Sequence, residues 1–113
     1  MDMSRRERGR ETEKLVAQYL VRHGFEGAHV TSMAASGSDV LGIEGLDIEC
    51  KARKNFDPAG TMAQLRARAK ETGMGVAVMR LENQGEKSVG NFLCFLRFDD
   101  LVYLLKASGY GRR

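Results

Sequence analysis

The chain has no tryptophan, a single proline (Pro58), two histidines and two cysteines in 113 residues. Cys50 and Cys94 lie far apart, and neither has a second cysteine or a histidine at metal-ligand spacing. That excludes a disulfide framework and a zinc-finger-like centre. Both cysteines fall in apolar stretches, so they read as small buried hydrophobes in a reduced protein. No apolar run approaches the roughly 20 residues that span a bilayer, and the start shows no signal-peptide pattern. The expectation is a cytoplasmic protein with no membrane partner. There are no internal repeats and no linker long enough to separate two cores, so residues 1–113 read as a single domain.

Net charge is also small, at +3, although charged residues make up 29% of the chain. The basic residues are unevenly placed. Arg5, Arg6, Arg8, Arg10 and Lys14 crowd residues 5–14, Arg53 and Lys54 sit together, Arg66, Arg68 and Lys70 form a third group, and Arg112 and Arg113 end the chain. Basic clusters flanking an acidic pocket suit a polyanion gripped by its backbone. Any one cluster alone reads better as a solvated helix face or a ragged tail.

The most informative stretch is Leu46-Asp47-Ile48-Glu49-Cys50-Lys51. On a strand, alternate side chains share a face, which puts Asp47, Glu49 and Lys51 together and Leu46, Ile48 and Cys50 opposite. An acid and a lysine two residues apart can hold a divalent metal beside a phosphate and place an ammonium near the attacking water. Ten residues before Glu49, Asp39 opens the preceding apolar run. Acid, short hairpin, acid-x-lysine is the pattern of a metal-dependent nuclease.

Periodicity and turn residues predict a helix over 11–22, stopped by His23-Gly24-Phe25, and a short strand over 29–31. Strands over 40–43 and 46–52 are joined across Glu44-Gly45, and residues 55–60 read as a linker around Pro58. A helix over 62–72, strands over 76–81 and 91–98, a polar loop over 82–90 and a last helix N-capped by Asp99 complete the order. The expected fold class is α/β, a mixed five-stranded sheet flanked by helices.

In this order the chain resembles the PD-(D/E)xK nuclease superfamily, and within it the archaeal-type Holliday junction resolvases, which also occur in viruses. Arg8-Gly9-x-x-x-Glu13 ahead of the helix stop at His23-Gly24-Phe25, the loop Ser36-Gly37-Ser38-Asp39, and Glu49-Cys50-Lys51 carry the likeness. It covers residues 8–55, with Ser38 standing where the superfamily name has proline. The resemblance implies a restriction-endonuclease-like domain and a catalytic set of Glu13, Asp39, Glu49 and Lys51. It implies Mg²⁺, or Mn²⁺ in its place, held by Asp39, Glu49, the Cys50 carbonyl and Glu13. Glu11 competes with Glu13 for that role from a different helix face, and Asp47 is either an outer contact of the site or a charge at the hairpin edge. Arg8, Arg10, Ser36, Ser38, Arg53 and Lys54 are the candidate DNA-binding residues.

The implied activity is structure-selective cleavage of DNA, resolving four-way junctions by paired symmetrical nicks. Two related cuts imply a homodimer. The strand over 92–98 and the helix at 101–105 either supply its interface or complete a monomer core. Other readings are a superfamily nuclease acting on flaps or forks, and a non-catalytic DNA-binding subunit of the same fold.

Overall fold

The computed structural model describes residues 4–31, 39–52 and 57–111. The serine-glycine loop with Ser36 and Ser38, and the basic pair Arg53 and Lys54, lie outside these residues.

Helix α1 (Arg5–Arg22) begins a turn and a half earlier than its apolar periodicity predicts. The reason is a cap: the Ser4 hydroxyl accepts from the Glu7 backbone N–H, satisfying one of the orphan donors of the first turn. The helix stops as expected. Gly24 takes a φ of +98°, and the Phe25 N–H turns back to donate to the Leu20 carbonyl at 3.0 Å. His23 serves the same end, its Nδ1 lying 2.9 Å from the Tyr19 carbonyl.

Strands β1 (His29–Val30), β2 (Val40–Leu41), β3 (Leu46–Lys51), β4 (Met74–Met79) and β5 (Leu93–Phe95) form one sheet in the order β1-β2-β3-β4-β5. β3 and β4 pair in parallel and the other neighbours antiparallel, so the sheet is mixed. The β2–β3 turn falls on Glu44-Gly45, with the Leu46 N–H donating to the Ile43 carbonyl. β2 ends sooner than predicted because Gly42 adopts a φ of +102° against the Gly27 backbone, in a contact too close for any side chain.

The parallel step between β3 and β4 requires a crossover, and helix α2 (Pro58–Thr72) provides it. Pro58 therefore stands at the first turn of a helix instead of in a linker. Asp57 caps that helix through its side chain, and a proline there loses no needed N–H. α1 lies on one face of the sheet and packs Val16 and Ala17 on Val40, Ile48 and Val78, with Val89 and Phe92 closing that core. α2 covers the other face so closely that a Cβ on Gly75 would stand 2.9 Å from the Leu65 carbonyl oxygen.

The polar loop after β4 contains a 3₁₀ helix (Glu86–Asn91), and the predicted strand over 91–98 shortens to β5. Helix α3 (Phe98–Ser108) has Arg97 at its N-cap position, with no side-chain cap, and the predicted cap Asp99 lies inside its first turn. Cys94 is exposed on the edge strand β5, which corrects its assignment to the core. Among the described residues, no helix is long and apolar enough to cross a membrane.

Candidate active site

β3 presents its acids as the alternation requires, but their face is not a solvated one. Asp47 and Glu49 are both buried, because α2 lies over them. A buried carboxylate needs a cationic or hydrogen-bonded partner. Arg68 supplies it to Glu49, donating from Nε to Oε1 at 3.2 Å. Arg68 was one charge in a basic cluster when read from sequence. It stands three residues after buried Leu65 and seven after buried Thr61, on the sheet-facing side of α2. A charge at the apolar period of a helix was the signal that marked it.

Asp39 sits just before β2. Its backbone N–H donates to the Ile48 carbonyl, and its Oδ2 accepts from the Cys50 N–H at 2.6 Å. The side chain thus takes the place that a longer β2 would have filled along β3. Because backbone groups alternate along a strand, the Lys51 carbonyl faces β4, where it accepts from the Arg80 N–H. The Cys50 carbonyl consequently faces the Asp39 side.

Glu13 comes from α1, on the opposite face of the sheet, and meets Asp39 at the start of β2. The two carboxyl groups lie close enough to interact as hydrogen-bonding partners, which raises the pKa of Glu13 and lowers that of Asp39. Glu11 does not compete. Its carboxylate accepts at 2.6 Å from Nη1 of Arg80, a residue only 4% exposed, and Arg80 also reaches the Thr12 hydroxyl and the Gln84 carbonyl. This anchor holds α1 with Glu11 directed at β4 and leaves Glu13 for Asp39.

Burial raises the carboxyl pKa of Glu13, Asp39 and Glu49 above the ordinary range. The charge of Asp39 raises Glu13 and Glu49 further, whereas Arg68 and Lys51 act in the opposite direction on Asp39 and Glu49. Arg10 likewise lowers Glu13. The Cys50 thiol is pushed far up, chiefly by burial and then by Asp39, Glu13 and Glu49. It stays protonated, so Cys50 has its main-chain carbonyl to offer, not a thiolate.

The structure therefore brings together Glu13, Asp39, Glu49 and Lys51, adds Arg68, and sets Arg10 alongside. Arg8 is directed elsewhere, its guanidinium donating to the carbonyls of Leu81 and Glu82 at 2.8 and 3.1 Å. Among the described residues, no three His, Cys, Asp or Glu side chains form a closed metal-ligand set. The chemistry of the donors nevertheless suits a divalent cation. Asp39 raises the proton affinity of Glu49 next to a backbone carbonyl, an all-oxygen combination that Mg²⁺ favours. No protein-family model, curated protein or solved structure compared with the chain matches it.

Proposed function

We propose that this protein is a divalent-metal-dependent endodeoxyribonuclease of the PD-(D/E)xK kind, cutting branched DNA and resolving four-way junctions as a homodimer. The observation that carries the reading is the convergence of Glu13, Asp39 and Glu49 from three separate segments, under the charge of Lys51. Buried carboxyl groups held together, with Asp39 raising the pKa of both Glu13 and Glu49, cost stability in the free protein. Such an arrangement is typical of a functional centre.

In this reading Asp39, Glu49 and the Cys50 carbonyl hold the cation, and Glu13 reaches the same centre through Asp39. A bound Mg²⁺ supplies Lewis acidity toward a phosphate oxygen and the attacking water. Lys51 orients that water and offsets charge gathering on the phosphoryl group. The water oxygen bonds to phosphorus as the bond to the 3′ oxygen breaks, leaving a 5′ phosphate and a 3′ hydroxyl. Arg10, Ser36, Ser38, Arg53 and Lys54 are the residues assigned to grip the DNA backbone.

The test is cleavage of a labelled four-way junction with Mg²⁺, beside linear duplex and a flap, using wild-type protein and Glu49→Ala. Paired symmetrical nicks near the branch, absent in the variant, are the expected result. Equal cutting of every substrate would retain the nuclease and remove the junction preference. Cutting that persists in both Glu49→Ala and Lys51→Ala would overturn the active-site assignment.

A further inference from the structure

α3 is an amphipathic helix with nothing covering its apolar side. Among the described residues it shares no extensive contact with any other element, whereas α1 and α2 each pack on the sheet. Phe98 and Tyr110 are each 76% exposed, and Leu101, Leu104 and Leu105 are exposed beside them. Leu93, on the neighbouring edge strand β5, is exposed as well. With aromatic side chains of about 200 Å² each, these residues leave roughly 600 Å² of apolar surface open. A monomer's largest apolar patch is about 300–600 Å², and a partner in a stable complex contributes about 800 Å².

We infer that this surface is the site of self-association, with α3 packing antiparallel on α3 of a second copy across a twofold axis near Val102. The charges on the helix point to this occupant. Asp99 and Lys106 are both exposed, and neither has an ion-pair partner among the described residues. They are seven residues apart, two helical turns, so they share one flank of the apolar stripe. A twofold axis perpendicular to two antiparallel helices brings the same flank of each together. Asp99 of one copy then meets Lys106 of the other, and the pair occurs twice. Two parallel copies would leave these charges out of reach of each other's opposite.

This dimer supplies the partner that paired cutting requires, and to that extent it rests on the reading above. Its test needs neither DNA nor metal. Sedimentation velocity of the full chain at micromolar concentration is expected to show a dimer. Asp99→Lys and Lys106→Asp are each expected to weaken it at least tenfold, since each replaces two attractions by two repulsions. The double variant, with the charges exchanged, is expected to restore it. Both substitutions are at exposed positions, and circular dichroism checks that the fold is retained in all three variants. A monomeric wild-type chain, or a double variant no better than the singles, would overturn the inference. Mg²⁺-dependent nicking by a monomer would overturn it while leaving the nuclease intact. A dimer that restores as described but never cuts would leave the interface standing and remove the activity.

Discussion

Replacing Arg80 by alanine tests whether one buried guanidinium holds α1 in the rotation that sends Glu13 to the candidate site. Arg80 is 4% exposed and donates to Glu11 at 2.6 Å, to Thr12 at 3.3 Å and to the Gln84 carbonyl at 2.8 Å. Removing one member of a buried ion pair costs about 3–5 kcal/mol, because the other is left without a partner. The Glu11 side chain is 35% exposed, so water recovers part of that loss and the lower end applies. A cost of about 3 kcal/mol would be a large fraction of the 5–15 kcal/mol that holds an ordinary domain folded. At about 2.1 cal/mol/K of unfolding entropy per residue, it corresponds to a Tm about 13 °C lower. Urea unfolding of Arg80→Ala, Glu11→Ala and the double variant closes a cycle, and the expected coupling is at least about 1.5 kcal/mol. Glu11→Gln keeps the acceptor and is expected to cost only about 1 kcal/mol. Effects of Arg80→Ala and Glu11→Ala that simply add would refute the argument that the pair acts as one anchor.

The same geometry sets further expectations. Arg68→Ala leaves Glu49 buried without its cation, so the variant is expected to melt lower in metal-free buffer and to gain more from Mg²⁺ than wild type; an equal gain would separate Arg68 from the site. The raised pKa values of Glu13, Asp39 and Glu49 mean that the folded chain holds protons that the unfolded chain has released. Unfolding free energy is thus expected to fall as pH rises from the ordinary carboxylate range, near 4, through the raised values. Asp39→Asn should flatten that fall, and added Mg²⁺ should offset it at neutral pH in wild type alone, both readable by urea titration at several pH values. Gly75→Ala places a methyl group 2.9 Å from the Leu65 carbonyl oxygen, and a loss of about 1–3 kcal/mol is expected by thermal melting.

Much of this architecture was legible because periodicity and turn chemistry agreed locally. Gly24 stopped α1, Glu44-Gly45 turned the hairpin, and the alternation from Leu46 to Lys51 put Glu49 and Lys51 on one face. Helix starts were less legible. Ser4 and Asp57 cap through a single hydrogen bond each, and a capping serine or aspartate looks like any other polar residue before a charged run. The choice between Glu11 and Glu13 depended on Arg80, which is 69 residues from Glu11 in sequence, and no local pattern could supply that contact. Arg68 escaped notice for the opposite reason, since the sequence placed it among other basic residues and only the packing of α2 on the sheet brought it to Glu49. Cys94 looked like core because its neighbours are apolar, but β5 is an edge strand and α3 does not return over it.

The strand order has a metric consequence. The acids gather at β2 and β3, while α3 leaves from β5 at the far edge of the sheet. At about 4.8 Å per strand spacing, each centre lies on the order of 12 Å from that edge. Two copies joined through a pair of helices about 10 Å apart would hold their centres roughly 35 Å from one another. Duplex DNA advances 3.4 Å per base pair along a strand, so that interval is close to one full turn of the double helix. Joined in this way, the sheet would act as a ruler, its width setting how far apart the two breaks fall on a branched substrate.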